Sequence, residues 1–351
     1  MPFRPLFVRQ AFRLLVQGYC CDVGMSCYHP MNAVVLGVDP ETHKKKLRFL
    51  GQDVLGSVLY PGKEIIQVPC GQCIGCRIDR SRQWANRCML ELQYHDSAYF
   101  VTLTYDDLHV PKAYYPDPDT GEAHQSLTLC KRDFQLWMKR LRKRFSDDKI
   151  RFFACGEYGG STHRPHYHAI VFGLHLDDLV KYKTVQEGDG YYTYYNSDSL
   201  QSTWPHGFAV VGQVTWESCA YVARYVTKKL TGEQAEFYQR FNLVPEFSDM
   251  SRRPGIARQY YDDHGKEVYE NAYINISTPK GGRKFKPPRY FDRLFDIDCP
   301  GALDALKARR RNSAEASMEA KMKRTNLSPP EILAVEETAF QNRIKSLRRS
   351  L

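Results

Sequence analysis

The apolar positions Phe134, Trp137, Met138, Leu141 and Phe145 recur at i, i+3, i+4, i+7 and i+11. That spacing follows one helical face and predicts an amphipathic helix over about 128–145. A second helical stretch, 78–94 (IDRSRQWANRCMLELQY), contains no Gly or Pro. Runs rich in β-branched and aromatic residues predict strands at 98–104 (AYFVTLT), 150–155 (IRFFAC), 166–173 (HYHAIVFG) and 208–214 (FAVVGQV). A helix is predicted from about 217 to 230. Residues 106–127, punctuated by Pro and Gly, predict a loop, and residues 180–206, rich in Tyr, Asp and Ser, a long insertion. At 328–331 the run Ser-Pro-Pro-Glu has the form of a capping box with Pro in the first turn, which predicts a helix from 331 to about 349.

The chain has 351 residues, 42% hydrophobic and 13% aromatic, which is enough for a real core and too apolar for a disordered chain. It contains no run of 18 apolar residues, so no transmembrane helix is expected. Residues 1–24 look like an extension ahead of Met25 and lack the continuous apolar stretch of a signal peptide. Lys and Arg total 50 against 40 Asp and Glu, a net charge of +10 that suits a nucleic-acid partner. The surplus is uneven, with nine basic against three acidic residues over 126–154 and eleven against six over 302–351. A solvated face is the simpler account of the tail, while on the 128–145 helix it balances a nucleic-acid contact.

Chemistry concentrates in Pro165-His166-Tyr167-His168. Residues two apart in a strand point to the same face, so His166 and His168 project side by side. Two imidazoles so placed can clasp a divalent ion if a third ligand arrives. Glu157 ends the preceding strand, Gly159 and Gly160 follow, and a hairpin there would bring its carboxylate beside the imidazoles. A second constellation is Tyr221-Val222-Ala223-Arg224-Tyr225, with Lys228 and Lys229 after it. Tyrosines at i and i+4 share a helical face, and at least one lysine shares it too. A phenol with a pKa of about 10 is a poor nucleophile at neutral pH unless a nearby cation favours the phenolate. An amphipathic core helix with two aromatic anchors is the competing reading of that stripe.

Eleven cysteines are an odd number, and Cys70, Cys73 and Cys76 give C-x2-C-x2-C, one ligand short of a tetrahedral zinc site. Cys27 is the expected fourth ligand, with His29 and Cys88 as alternatives. Iron–sulfur ligation uses related spacing, and three reduced thiols in a Gly turn is the non-metal reading. Such spacing fits a reducing, intracellular setting better than a disulfide framework.

Taken together, these segments resemble the HUH superfamily of replication initiators and relaxases. Phe100-Val101-Thr102-Leu103-Thr104-Tyr105 looks like its first strand motif, Pro165-His166-Tyr167-His168 like its metal motif, and Tyr221 to Tyr225 with Lys228 like the two-tyrosine motif of phage rolling-circle initiators. More closely, the chain resembles the initiator family of the gokushovirus group of the Microviridae. That likeness is carried by Cys27-Tyr28-His29-Pro30, Pro69 to Arg77, Phe134 to Arg142 and Ser251 to Ile256, over about Met25 to Tyr290.

The resemblance implies an α+β fold, with a ferredoxin-like core whose central antiparallel sheet is backed by helices. A Cys-rich region with a helix (25–97) would precede an endonuclease domain (98–300), and a basic helical tail (301–351) would follow. It implies a site-specific nickase acting on a single-stranded DNA origin in the cytoplasm of a bacterial host. Mg²⁺ or Mn²⁺ would sit on His166, His168 and Glu157, and Zn²⁺ on the cysteines. Tyr221 and Tyr225 would be nucleophiles, Lys228 or Lys229 would position the phosphate, and host polymerase and helicase would be partners. A plasmid relaxase or transposase on the same core, a zinc-dependent hydrolase, and a zinc-held DNA-binding module without catalysis are the competing expectations.

Overall fold

A computed structural model describes residues 27–40, 45–51, 56–160, 162–187, 190–225, 235–278 and 281–349. The 1–24 extension, Met25, Lys228, Lys229 and the end of the predicted 217–230 helix lie outside the described residues. The strands in chain order are β1 (Met31–Val38), β2 (Lys45–Phe49), β3 (Ile65–Val68), β4 (Ala98–Tyr105), β5 (Lys112–Pro116), β6 (Ala123–Leu127), β7 (Arg151–Tyr158), β8 (Pro165–Phe172), β9 (Val180–Glu187), β10 (Gly190–Asn196), β11 (Gly207–Gln213), β12 (Phe247–Met250), β13 (Ile274–Thr278) and β14 (Gly281–Phe285). Contacts divide the chain into a unit holding Arg80–Leu306 and a second joining Val23–Asp79 with Lys307–Leu351. The composition-based division into 25–97, 98–300 and 301–351 draws its boundaries elsewhere.

In the first unit a seven-stranded antiparallel sheet runs β12-β7-β8-β4-β11-β10-β9. Its middle strands are apolar on both sides, as strands covered on two faces must be. On one face Val101, Leu103, Tyr167 and Val171 meet Phe134, Trp137, Met138 and Leu141 of the helix Lys131–Arg144. On the other, Phe100, Phe153, Ile170 and Phe172 meet Cys219, Ala220, Val222 and Ala223 of the helix Trp216–Tyr225, together with Ala85 and Cys88 of the helix Ile74–Leu92. The fold is therefore α+β, with helices backing an antiparallel sheet. A third cluster joins Leu90 to the helices Arg258–Asn271 and Arg289–Asp298 and the β13–β14 hairpin.

One expectation is corrected. Residues 106–127 are not a plain loop: β5 and β6 pair across them. The Asp117 carboxylate accepts from the Asp119 and Thr120 N–H groups, which makes the turn that the Pro and Gly punctuation disguised. Within residues 180–206, β9 and β10 pair with each other and β10 extends the main sheet through β11. Tyr and Thr are good strand formers, and the Ser and Asp residues that read as loop form instead the short helix Asp198–Gln201, capped by Ser197.

The second unit holds the small sheet β2-β1-β3, with Ala33 and Val34 fully buried. The helix Pro329–Arg349 buries Ile332, Leu333 and Phe340 there, and the Phe340 ring lies 6.5 Å from that of Tyr28. The helix begins where the capping box predicts it, with the Ser328 N–H donating to Glu331 at 2.8 Å. Among the described residues no helix is long and apolar enough to cross a membrane.

Candidate active site

The β7–β8 hairpin sets Glu157 opposite His166 and Cys155 opposite His168. Its turn is closed by the Gly159 N–H donating to the Arg164 carbonyl at 3.0 Å. Directly opposed residues share a face, so Glu157, His166 and His168 emerge together on the side covered by the helix Trp216–Tyr225. Oε1 of Glu157 lies 2.7 Å from Nε2 of His166 and 3.0 Å from Nε2 of His168. Glu157 is 1% exposed and His168 5%.

The far side of each ring is also held. Nδ1 of His166 donates to the Arg164 carbonyl at 3.1 Å, and Nδ1 of His168 lies 2.9 Å from the Thr102 hydroxyl. A carbonyl only accepts, so the His166 proton sits on Nδ1 and its Nε2 is the nitrogen turned toward the carboxylate. A bare lone pair facing a carboxylate oxygen is repulsive. A cation among the three atoms would take up the Nε2 lone pair and the carboxylate charge together. Burial raises the Glu157 carboxyl, but the hydrogen bonds from the two imidazoles outweigh it and hold the group well below the usual carboxylate range. The donor chemistry of two imidazole nitrogens and one carboxylate fits a divalent ion, and suits Mn²⁺ better than Mg²⁺.

Tyr221 stands beside this cluster. Its ring meets His168 edge-on at 5.1 Å between centroids and Phe100 at 6.1 Å. Phe100 in turn stacks on His168 at 5.4 Å and 14°. The Tyr225 side chain lies outside the described residues, as do Lys228 and Lys229. The structure thus brings Glu157, His166, His168 and Tyr221 together. Sequence reasoning did not find the roles of Thr102 and Phe100. Register with β8, Thr102 opposite His168 and Phe100 opposite Ile170, is the signal that places them, and it belongs to the folded sheet.

In the second unit Cys27, Cys70, Cys73 and Cys76 converge, their ligand atoms within 4.8 Å of one another. Of the alternatives, Cys88 is buried in the core of the other unit, and His29 Nε2 lies 2.5 Å from a Glu337 oxygen. The sulfurs accept backbone N–H bonds, from Cys70 to Cys27 at 3.2 Å and from Cys73 to Cys70 at 3.3 Å. Burial raises the Cys73 thiol, but the Cys76 and Tyr28 N–H groups and the neighbouring thiols bring it down to about 7. Burial pushes Cys27 up to about 11 and Cys76 higher still. One thiolate among four crowded sulfurs discourages the next, and a central cation removes that conflict. Four cysteine sulfurs at this spacing fit tetrahedral zinc.

The family model described as Replication-associated protein ORF2/G2P matches residues 98–230, the segment that carries Glu157, His166, His168 and Tyr221. The chain is 34% identical over 290 residues to Replication-associated protein ORF2 of Spiroplasma virus 4, covering 81% of this chain and 85% of that one. It is 29% identical over 265 residues to Replication-associated protein VP4 of Bdellovibrio phage phiMH2K, covering 71% and 76%. With Replication-associated protein ORF4 of Chlamydia phage 1 it shares 32% identity over 245 residues, 65% of this chain and 53% of that one. No solved structure matches the chain.

Proposed function

The chain belongs to the family of phage replication-associated proteins, and on that footing we propose that it is a rolling-circle initiator that nicks single-stranded origin DNA. The Tyr221 oxygen, or that of Tyr225, attacks the scissile phosphorus as its phenolic proton is lost. The P–O3′ bond breaks, and the 3′ oxygen leaves and is protonated. The products are a 5′-phosphotyrosine and a free 3′-hydroxyl, with the bond energy kept for rejoining. After one round of synthesis by host polymerase and helicase, the second tyrosine cuts the regenerated origin. The released 3′-hydroxyl then attacks the first phosphotyrosine and closes a circle. Two phenols at i and i+4 suit that alternation, and Lys228 or Lys229 positions the phosphate.

His166, His168 and Glu157 would hold Mn²⁺ or Mg²⁺, which when bound neutralises charge on the phosphoryl oxygens. Cys27, Cys70, Cys73 and Cys76 would hold a structural Zn²⁺. The reaction takes place in the cytoplasm of the infected bacterium. The observation that carries this reading is the convergence of two Nε2 atoms on one Glu157 oxygen, with the Tyr221 ring 5.1 Å from His168.

The test mixes purified protein with labelled single-stranded origin DNA and Mn²⁺ and then denatures the mixture. The wild type should leave a DNA adduct that resists denaturation, and Tyr221→Phe/Tyr225→Phe should leave none. An adduct from the double variant would overturn the tyrosine assignment. Replacing His166 and His168 with Ala should abolish cleavage while largely preserving DNA affinity, because basic residues dominate that affinity.

A further inference from the structure

We propose that the sheet face running from the ion site across β4 and β11 to the β9–β10 hairpin is a stacking path for single-stranded DNA, with Phe208, Tyr194 and Lys183 as its contacts. The inference rests on the nicking reading and gives its substrate a course over the protein. Register sets the row. Glu157 pairs with His166, His166 with Thr104 and Thr104 with Phe208, so Phe208 shares the face of the ion site about 10 Å from His166. Two same-face rows along, Phe100 pairs with Gly212, Gly212 with Tyr194 and Tyr194 with Lys183.

Gly212 has no side chain, and a Cβ placed on it would lie 3.4 Å from the Phe100 ring and 3.6 Å from the Tyr194 ring. Both rings therefore close over Gly212, which is buried beneath them. Phe100 stacks on His168, so a buried aromatic row underlies the course from the ion site toward β10, while the exposed course runs from His166 past Thr104 to Phe208. The Lys183 ammonium lies 5.6 Å from the Tyr194 ring centroid and 5.2 Å from that of Tyr182.

The helix Trp216–Tyr225 packs on β7, β8 and β12, the opposite half of this face. Phe208 is 64% exposed although β11 lies inside the sheet. Lysines on an edge strand discourage strand addition, but that purpose does not account for a bare phenyl ring on an interior strand. Unpaired bases stack on exposed rings while lysines follow the phosphates, which is how sequence-tolerant single-strand sites are built. A duplex hides its base faces and offers these rings nothing to stack on.

The test measures anisotropy of a fluorescein-labelled thymidine homopolymer with the full zinc-loaded chain and no added Mn²⁺ or Mg²⁺, so no cleavage is needed. Phe208→Ala and Tyr194→Ala should each weaken binding about tenfold, and Phe208→Trp should restore it. Lys183→Ala should lower the slope of log affinity against log salt by about 0.7. Duplex binding should not change. Phe208 is exposed, so its removal leaves folding intact. Wild-type affinity in both alanine variants overturns the path. So does a homo-oligomer dispersed by Phe208→Ala without loss of single-strand affinity, which would make the face a protein interface. If the variants lose binding while wild-type protein forms no covalent adduct, the path stands and the nicking reading falls. If they bind normally and adduct forms, the reverse holds.

Discussion

His168 is gripped at both ring nitrogens, by Thr102 at Nδ1 and Glu157 at Nε2, and its face is covered by Phe100. Outer partners of this kind fix the tautomer and aim of a metal-binding imidazole. Thr102→Val keeps the β-branched shape and removes the hydroxyl. It should weaken Mn²⁺ binding roughly 10- to 100-fold in a calorimetric titration, while Thr102→Ser stays near wild type. Unchanged affinity in the valine variant would mean that Phe100 stacking alone orients the ring. The histidine pair was legible in the sequence because a strand repeats every two residues. The hydroxyl behind it was not, since Thr102 is 66 residues away in the chain.

At the scale of elements, Glu91 ties the helix Ile74–Leu92 to β7 and to the segment before the helix Arg258–Asn271. It accepts from Arg151, from His95 at 3.2 Å and from the Ala257 N–H at 2.6 Å. Arg151 also donates to the Pro254 and Gly255 carbonyls. Burial raises the Glu91 carboxyl, but these donors outweigh it and lower its pKa below the ordinary value. A folded pKa below the unfolded one stabilises fully above the unfolded value of about 4.3, and that stability drains away as pH falls below it. Glu91→Gln should therefore cost about 3–5 kcal/mol in urea unfolding at neutral pH, and the loss of stability below about pH 4.3 should be shallower in the variant. A variant with the wild-type acid limb would remove Glu91 as its source. Across the sheet, Leu141→Ala should cost about 2–5 kcal/mol, measured the same way. It should leave Mn²⁺ affinity intact, because Leu141 packs on the face away from the ion site. The helix carrying Leu141 was readable from its apolar stripe. The β5–β6 and β9–β10 hairpins were not, since Tyr and Thr beside Asp, Ser and Gly read locally as loop until a partner strand pairs with them.

For the whole molecule, zinc and folding of the second unit should be one event, because thiolates gathered from Cys27 and from Cys70 to Cys76 have no reason to stay crowded without a cation. Protein purified without oxygen should carry one equivalent of zinc, roughly, that survives a wash removing Mn²⁺. Cys73→Ser should carry none and should lose amide-exchange protection across β1 and β3. Protection equal to wild type in a zinc-free variant would show that the cluster is not what holds that sheet.

The sequence by itself determined what short-range periodicity encodes. It specified the paired imidazoles of β8, the hairpin that returns Glu157 to them, the amphipathic helix behind the sheet and the capped start of the last helix. Each depends on side chains a few residues apart, where backbone geometry leaves little choice. The tertiary structure alone decided that β9 and β10 lengthen the main sheet and that Thr102, Phe100 and Tyr221 close around His168, and it brought Cys27, the first of three candidates, to Cys70, Cys73 and Cys76. Those contacts join residues tens of positions apart, so they are set by how strands pair and which faces must be buried, and no local pattern records them.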